Sequence, residues 1–528
     1  MSKNIVAVCG AYPDIGKGIF ASSLAYLIQE NGISVSPIKF DGYLNYSSGT
    51  MNPYHGKIDS SYSEEEVFVL KDGHEGDADS GYYERFLHQE FDEKSNISNG
   101  KLFAMLSNRE KSGELRHGEV LNYRVLRNIL EELVLKEAKK TNILFVEIGG
   151  TIGDKDNEIL FDSLNLIKAQ QKSNVFTIMI SPYLSKTTEQ GTELSYRSKI
   201  TRQAFEKVWR MGLMPNAIVM RIAGAQNVVA NDLEYIGLET GLSKTDDLYL
   251  DPDMESIYEL PELLSKQNID TKVLTYFGLK QDRTKRTGRI EEYTAKLLQI
   301  KRNKNVMKLG IFGKSVSDDT YLSLIEAVDH ASVANDVKVD VMWLDDSIDY
   351  IKDLDGIDGL IVGESLRFIQ EKLHALEHAR NTQLPTLAFS FGFDLFIKEY
   401  FENELKKKLN IDEIESIGAK CQIIKNTLIV GNRDIDLVKS DHYRAGTYRE
   451  RFRTNSALNM HAVMLLENSS DLNVVGVDSK SKQPVVVEHA KLPFYIGVKF
   501  HPEFISHPMY PHQLINKLIQ TMKKGQIC

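Results

Sequence analysis

The sequence predicts an α/β fold made of two parallel-sheet domains, and three observations support this. Short apolar runs alternate with segments of helical periodicity, which is typical of a parallel sheet covered by helices on both faces. A glycine-bearing loop follows the first apolar run, and a charged stretch at 280–305 separates two alternating regions. The length of 528 residues allows more than one domain.

The first alternating region extends to residue 277. Its strand-like runs are Ile5–Val8, Val35–Phe40, Ile143–Ile148, Val175–Ile180, Ala217–Arg221 and Thr271–Thr275. Helix-like segments such as Val120–Lys139 and Arg202–Met211 lie between these runs. We therefore expect a mostly parallel sheet whose carboxyl edge collects the ligand-binding residues.

The second alternating region begins at Val306. Its strand-like runs are Val306–Phe312, Val337–Trp343, Gly359–Val362, Pro385–Phe389, Asn426–Leu428, Val474–Val477 and Tyr495–Lys499. This predicts a first domain at 1–277, a linker at 278–305 and a second domain at 306–528. The charged stretch also fits a solvated surface helix of the first domain.

Bulk properties exclude several classes of function. The formal net charge of −10 argues against nucleic acid or an anionic membrane as the main partner. The three cysteines, Cys9, Cys421 and Cys528, have neither metal-ligand spacing nor a disulfide pattern. Since no signal-peptide pattern and no membrane-spanning apolar run is found, we expect a cytoplasmic protein.

The segment from Gly10 to Gly18 has the pattern of a phosphate-binding loop. It follows an apolar strand, contains Lys17 and leads into a helix-like segment, so that loop N–H groups and the lysine would meet phosphates. The spacing from Gly10 to Gly16 is one residue longer than in G-x-x-x-x-G-K-[ST], and Gly18 replaces the hydroxyl residue. A plain glycine-rich turn is the alternative, and a metal ion here would need carboxylates from elsewhere.

Two acidic positions are candidates for that role. Glu147 ends an apolar run and precedes Gly149 and Gly150, which is where ligands of open α/β sheets bind. Asp77 and Asp79 precede a helix-like segment. Their spacing alone favours helix capping over metal binding.

Several long motifs, in this order, resemble the cytidine triphosphate synthase family. They are GAYPDIGKGIF, KFDGYLNYSSGTMNP, DGHEGDADSGYYERF, VEIGGTIGD, SPYL, ESIYELP, IFGK and KFHPEF. The resemblance implies a P-loop-like, dethiobiotin synthetase-like parallel-sheet domain followed by a class I glutaminase-like α/β domain. It also implies a homotetramer.

The resemblance implies a reaction in which ATP phosphorylates O4 of UTP and ammonia then displaces the phosphate. Mg²⁺ would be the cofactor, held by Asp79 and Glu147, with Lys17 and Lys39 as catalytic residues. The implied ATP-binding residues are Asp14, Ile15, Gly16, Lys17, Gly18, Ile19, Asp79, Pro252, Asp253 and Met254. The implied UTP-binding residues are Pro13, Arg197, Lys199 and Arg202, and feedback by CTP would involve Asp154–Asp156.

The chain departs from the family pattern in both halves. Ser390 stands where the glutaminase has its nucleophilic cysteine, although His501 and Glu503 match the other two triad positions. Ala388 replaces the first elbow glycine and is expected to crowd a tight turn. The run Val362–Ser365 stands where a glycine-rich oxyanion loop is expected. Near the nucleotides, Pro13 and Asp14 replace two serines.

These departures predict an ATP-dependent ligase acting on UTP or a related pyrimidine nucleotide with free ammonia or another small amine, not with glutamine. An N4-substituted cytidine nucleotide is a possible product. One alternative is an amidoligase that activates a different carbonyl substrate. Another is a non-catalytic, nucleotide-binding paralogue, and a serine hydrolase built from Ser390, His501 and Glu503 is formally open.

Overall fold

The computed structural model describes residues 3–48, 66–115, 122–184, 186–187, 193–194, 199–224, 228, 230–243, 246–312, 321–344, 349–364, 368–405 and 424–525. Close backbone contacts divide the chain into two compact units. Unit 1 contains Met1–Ser47 and Tyr82–Thr294, and unit 2 contains Ser48–Gly81 and Ala295–Cys528.

Strands and helices alternate through most of the described chain. The strands are β1 Lys3–Gly10, β2 Val35–Asp41, β3 Val67–Val69, β4 Glu75–Asp77, β5 Asn96–Ser98, β6 Ile143–Ile148, β7 Ser173–Pro182, β8 Lys186–Thr187, β9 Glu193–Leu194, β10 Ala217–Ile222, β11 Leu248–Pro252, β12 Val306–Phe312, β13 Lys338–Trp343, β14 Gly359–Val362, β15 Thr386–Phe389, β16 Ile424–Leu437, β17 Gly446–Ala457, β18 Leu472–Asp478, β19 Pro484–His489 and β20 Tyr495–Val498.

The helices lie between these strands along much of the chain. They are α1 Lys17–Gln29, α2 Ala78–Leu87, α3 Asn99–Lys111, α4 Tyr123–Ala138, α5 Glu158–Ala169, α6 Lys199–Arg210, α7 Ala230–Thr240, α8 Leu260–Lys266, α9 Ile269–Tyr276, α10 Arg289–Lys301, α11 Leu322–Asn335, α12 Tyr350–Leu354, α13 Ile369–Thr382, α14 Phe391–Glu399, α15 Met460–Glu467 and α16 Gln513–Gly525. No described helix is both long and apolar enough to span a bilayer.

The main sheet of unit 1 has the strand order β11-β10-β7-β1-β6-β2-β5, and its neighbouring strands are parallel. Its central strands are almost entirely buried, as expected for a sheet with helices on both faces. Apolar residues of β1, β6 and β7 pack with α4, α5 and α6 in one core. The parallel-sheet expectation for the first half is confirmed.

Unit 2 has a second sheet with the order β13-β12-β14-β15-β20-β19-β18-β16-β17. It is parallel from β13 to β20 and antiparallel from β20 to β17. Two buried clusters cover its faces. Unit 2 also contains the short antiparallel pair β3–β4, which comes from the first part of the sequence.

One predicted strand is wrong. Thr271–Thr275 lies inside helix α9, where Val273 and Leu274 are buried. A five-residue segment with two apolar residues does not distinguish a strand from one face of a short helix. The charged stretch contains α10, and the domain limits 1–277, 278–305 and 306–528 stay a prediction.

Candidate active site

The loop between β1 and α1 has the geometry of an anion site. Gly16 precedes the helix in the left-handed conformation (φ +88°), which a glycine adopts without strain. The backbone N–H groups of the first helical turn, from Lys17 onward, have no partner within a helix and carry its positive dipole end. Pro13 and Asp14 lie exposed on this loop, and Ile15 and Gly18 are buried.

Lys17 is buried and its ammonium group points back to the loop. Its Nζ donates to the Tyr12 carbonyl at 3.4 Å. A Cβ at Gly10 would lie 2.8 Å from Ile15 Cγ2 and 3.0 Å from Lys17 Cδ. A side chain at Gly10 would therefore displace the lysine stem, so this glycine permits the close packing of Lys17.

Lys39 and Glu147 meet on adjacent strands. Strand β6 lies between β1 and β2, with Glu147 opposite Val8 on one side and Lys39 on the other. Glu147 is fully buried, and its Oε1 lies 3.7 Å from Lys39 Nζ. The Tyr83 hydroxyl donates to Glu147 Oε2 at 3.0 Å. The structure thus places a buried carboxylate and a buried lysine at the carboxyl edge of the sheet that also carries the loop.

The buried Glu147 carboxylate fits Mg²⁺ bound to a nucleotide. Among the described residues, no group of three or more His, Cys, Asp or Glu side chains could hold a metal ion alone. Magnesium at nucleotide sites needs only one or two carboxylates, because phosphate oxygens and waters supply the rest. Glu147 has this character, and Asp79 lies in the first turn of α2 and is half-buried.

Arg221 was missed by the sequence analysis. It lies near the end of β10, and its Nη2 forms a 2.5 Å ion pair with Asp253 Oδ1. A Cβ placed on Gly16 would lie 3.9 Å from Arg221 Nε. The guanidinium is therefore close to the loop at 11–16 between β1 and α1, here called the phosphate-type loop. Among the residues expected near adenine, Pro252 ends β11 and Met254 is half-buried.

The two aspartates near Arg221, Asp251 and Asp253, differ in the direction of their pKa shifts. The Gly224 backbone N–H, followed by Arg221, lowers the pKa of Asp253. Burial raises the pKa of Asp251 to about 6, despite the nearby Arg221. Asp253 is therefore the firmly ionised partner of Arg221. The only signal for Arg221 in the sequence was its place at the end of an apolar run.

The predicted UTP segment is only partly described. Arg197 lies outside the described residues, Lys199 begins α6 at the surface, and Arg202 is exposed. Arg202 forms surface ion pairs with Glu206 at 3.9 Å and Glu239 at 3.5 Å. In the predicted feedback segment 154–156, the Asp154 carboxylate accepts the Thr151 N–H, and the Asp156 carbonyl accepts the Asn99 side-chain amide.

The second unit retains the shape of a nucleophile elbow with Ser390 at its tip. Ser390 joins β15 to α14 with φ 55° and ψ −115°, a strained conformation for a residue other than glycine. Gly392 lets the helix approach β14 so closely that a Cβ there would overlap the Val362 carbonyl oxygen. The expected crowding at Ala388 is wrong, because Ala388 lies within β15 with its methyl group in the core.

Ser390 and His501 both point to the Arg453 carbonyl. Ser390 Oγ donates to this oxygen at 3.3 Å, and His501 Nε2 lies 3.2 Å from it. His501 Nδ1 lies 2.8 Å from Glu503 Oε1. A carbonyl and a carboxylate are acceptors only, so the contacts of the two ring nitrogens favour the doubly protonated ring.

The charge environment of His501 agrees with this state. Burial lowers the pKa of His501. The Glu503 carboxylate and then Glu364 raise it, and their combined effect is larger, so the net shift of the pKa is upward. The Glu364 carboxylate lies 3.5 Å from His501 Nε2. A protonated imidazole cannot accept the proton of a serine hydroxyl.

Glu364, Arg453 and Glu75 were also missed by the sequence analysis. Arg453 Nε pairs with Glu75 at 2.8 Å, and Arg453 Nη1 pairs with Glu364 at 3.2 Å. Arg453 is 4% exposed, so these pairs are shielded from water. The alternating arginines in the segment 449–453 were a signal, since side chains two apart in a strand share a face. Nothing in the sequence indicated which carboxylates they meet.

Two family descriptions match the chain. The CTP synthase N-terminus matches residues 3–279, and the class I glutamine amidotransferase matches residues 316–521. A CTP synthase of Clostridium kluyveri is 30% identical, with 98% of each chain covered. A CTP synthase of Thermococcus kodakarensis is also 30% identical, with 99% of each chain covered.

A solved structure is also similar to part of the chain. The glutaminase domain of Trypanosoma brucei CTPS with bound acivicin is 22% identical. The match covers 41% of this chain and 94% of that chain, with a TM-score of 0.35.

Proposed function

Since the chain belongs to the CTP synthase family and is a carbon–nitrogen ligase, we propose that it converts UTP to a cytidine nucleotide with free ammonia or a small amine and without using glutamine. The γ-phosphoryl group of ATP passes to O4 of the uracil ring, N3 releases its proton, and ADP remains. The amine nitrogen then attacks C4, the C4–O4 bond breaks, and inorganic phosphate leaves with the electron pair. The nitrogen loses a proton to restore the aromatic amine.

The predicted site residues have different roles in this reaction. Lys17 and the N-terminal amides of α1 bind the ATP phosphates, and Gly16 and Ile19 complete the loop. Lys39 offsets the charge that develops during phosphoryl transfer. Glu147, together with Asp79 by the family resemblance, would hold Mg²⁺, which would offset the negative charge of the phosphates. Pro252, Asp253 and Met254 contact adenine, and Pro13, Arg197, Lys199 and Arg202 contact UTP.

The observation that carries the ligase proposal is the grouping of functions on three adjacent strands. The strands β1, β6 and β2 run in parallel and end, in that order, at the phosphate-type loop, at Glu147 and near Lys39. A nucleotide phosphate, a metal carboxylate and a buried lysine are the groups that phosphoryl transfer needs at one place. Their grouping supports ATP as the phosphoryl donor.

The nitrogen source is inferred from the second unit. Ser390 replaces the thiol, His501 is held as an imidazolium, and Glu364 occupies the oxyanion-loop region, where it pairs with Arg453. Each change removes a different part of amide hydrolysis: the nucleophile, the base and the anion-binding loop. Ammonia must then arrive from solution.

The test offers the purified full chain ATP, Mg²⁺ and UTP with ammonium, L-glutamine, hydroxylamine or hydrazine in turn. We expect a cytidine product and ADP with ammonium or another amine, and neither product nor released glutamate with glutamine. Liquid chromatography with mass detection identifies the base, including any N4 substituent. Turnover with glutamine equal to that with ammonium would refute the nitrogen-source proposal.

Matched variants check which residues act. Lys17→Ala should abolish ADP formation, whereas Lys139→Ala, which alters an exposed lysine after α4, should leave it unchanged. If UTP does not bind and an added carboxylic acid stimulates ATP hydrolysis, the acceptor is a different carbonyl compound. In that case the pyrimidine assignment is wrong, although the phosphoryl-transfer assignment stands.

A further inference from the structure

The pair β3–β4 forms a small hairpin in unit 2 that cannot be stable by itself. Its strands contribute three residues each, with Val67 opposite Asp77, Phe68 opposite Gly76, and Val69 opposite Glu75. An isolated two-stranded ribbon is marginal in water even when it is longer. The conformation of this hairpin therefore depends on what it packs against.

The first strand is held at three places. The Glu66 carboxylate accepts both the backbone N–H and the hydroxyl of Ser323, at 2.9 and 2.6 Å. Arg451 Nη1 donates to the Val69 carbonyl at 2.9 Å, and its guanidinium lies 5.8 Å from the Phe68 ring centre. Both Glu66 and Arg451 are buried.

The turn of the hairpin is held by backbone contact. Gly73 and Gly431 both have positive φ, +91° and +89°. A Cβ at Gly431 would lie 2.6 Å from the Gly73 nitrogen, and a Cβ at Gly73 would lie 2.9 Å from Val430 Cγ2. The Asn432 N–H also donates to the Lys71 carbonyl at 2.8 Å. The turn is thus seated directly on β16.

The second strand is tied to the degenerate glutaminase centre. Glu75, on β4, pairs with Arg453 Nε. The Arg453 guanidinium also pairs with Glu364, and the Arg453 backbone carbonyl accepts a hydrogen bond from His501. A second path runs through rings. Phe68 meets Phe504 edge-on at 5.1 Å, and Phe504 stacks on His501 at 5.0 Å.

We propose that Arg453 is a positioning residue for the ligase reaction: it clamps the β3–β4 hairpin onto the degenerate glutaminase centre and so fixes the segment Asp77–Asp79 that follows. The charged residues of that centre then serve a structural purpose in place of hydrolysis. Glu75 lies two residues before Asp77, and α2 begins directly after β4. A shift of the hairpin would move these carboxylates with it.

The clamp is tested by hydrogen exchange on the full chain. In Arg453→Ala and in Glu75→Ala, amides of the segment 67–77 should exchange at least about tenfold faster, because the hairpin opens locally without its anchor. Arg453→Lys should restore protection only in part, since one ammonium group cannot hold two carboxylates as a guanidinium fork does. The double variant should exchange no faster than either single variant.

A matched control separates the clamp from a general effect of removing charge. Arg449 lies on the same strand and pairs with Asp434 at 2.9 Å, but its side chain is 64% exposed. Arg449→Ala should leave exchange in 67–77 unchanged. If Glu75→Ala and Arg453→Ala behave like Arg449→Ala, the clamp is refuted; if Arg453→Ala does not fold, Glu75→Ala decides.

The effect on the reaction rests on the proposed function, in which Asp79 binds Mg²⁺. Glu75→Ala should raise the Mg²⁺ concentration for half-maximal rate several-fold, with kcat at saturating Mg²⁺ retained, which a merely destabilising change would not produce. Asp79→Asn is the reference. If Asp79→Asn leaves the Mg²⁺ dependence of the rate unchanged, the assignment of Asp79 to the metal is wrong. The hydrogen exchange of segment 67–77 then still tests whether Arg453 clamps the hairpin. If only Asp79→Asn alters this dependence, the positioning role is refuted.

Discussion

At the residue scale, the Arg453 carbonyl oxygen is the acceptor shared by two side chains that a hydrolase would pair with each other. Ser390 and His501 both donate to it, and Glu503 holds the opposite ring nitrogen. In this arrangement the imidazole has no lone pair to offer. A backbone carbonyl therefore distinguishes this site as much as the change of nucleophile does.

The variant Ser390→Cys tests whether the thiol alone is missing. We expect glutamate release from L-glutamine to stay below about 1% of the ammonium-dependent rate, because a lost oxyanion donor alone lowers kcat roughly 10²- to 10³-fold. Glu364, in the oxyanion-loop region, remains paired with Arg453 in this variant. Unchanged ammonium-dependent turnover shows that the variant is folded. Glutamine hydrolysis at the ammonium rate would contradict the prediction.

The protonated His501 gives unit 2 a pH-dependent stability. Its folded-state pKa is raised above the unfolded value by Glu503 and Glu364, against burial and Arg453. The charged ring therefore stabilises the fold fully below about pH 6.5, and this contribution is lost as pH rises through the higher folded value. The Tm advantage of the wild type over His501→Asn should shrink as pH rises.

The control for the pH effect is His378→Asn. His378 lies 3.6 Å from the Asp355 carboxylate, but its side chain is 21% exposed and that of Asp355 is 73% exposed. Solvent-exposed pairs of this kind contribute little to stability. We expect a small Tm change that varies little with pH. A Tm difference for His501→Asn that is constant or grows with pH would contradict the imidazolium assignment.

Single residues differ in how far the sequence can predict them. Lys17 and Glu147 belong to local patterns, a loop and a strand end, which can be recognised in the sequence. Lys39 was predicted only through the family resemblance. Arg221 and Arg453 act through partners about 30 to several hundred positions away in sequence, as with Asp253 and Glu75. Long-range pairing of this kind leaves no local signature, so the pairs are seen only in the folded structure.

At the element scale, the turn between β15 and α14 survives the loss of the thiol. Its sharpness depends on Gly392, whose Cα faces the Val362 carbonyl of β14. Gly392→Ala should destabilise unit 2 by about 3 kcal/mol or more, because the overlap is with backbone and no side chain can move aside. Chemical denaturation followed by far-UV circular dichroism measures this loss.

A glycine in an open position provides the comparison. Gly525 ends α16, and a Cβ there would meet no described atom within 4 Å. Gly525→Ala should change stability by less than about 1 kcal/mol, in the stabilising direction, because alanine favours helix. Equal effects of the two substitutions would show that the close approach at the elbow is absent in solution.

Elements were predictable where the pattern was long or strongly apolar. Runs such as Ile143–Ile148 and Val175–Ile180 are strands of the central sheet, since continuous burial demands continuous apolar residues. The hairpin β3–β4 was missed because its second strand, Glu75–Asp77, is acidic and glycine-containing. It is held by contacts with Ser323, Arg451, Arg453 and β16, which its own composition does not indicate.

At the scale of the whole molecule, the division into units does not follow chain order. The segment Ser48–Gly81 belongs with unit 2 although the phosphate-type loop precedes it and most of unit 1 follows it. Changes of composition along the chain indicated the charged stretch at 280–305. They did not indicate that Ser48–Gly81 groups with unit 2, because the limits of a compact unit depend on three-dimensional contacts.

The final prediction concerns which segments of the chain ATP and L-glutamine protect from amide exchange. ATP with Mg²⁺ should slow amide exchange in segments 10–20 and 249–254, because a bound ligand stabilises the closed state of the residues that contact it. L-glutamine at the same concentration should leave segments 388–392 and 499–504 unchanged, since the side chains there are engaged with Arg453 and Glu503. Ammonium chloride at matched ionic strength is the blank. Protection of 388–392 by glutamine would mean that the second centre still binds its family's amide substrate, and a lack of protection by ATP at 10–20 would remove the basis for phosphoryl transfer at this loop.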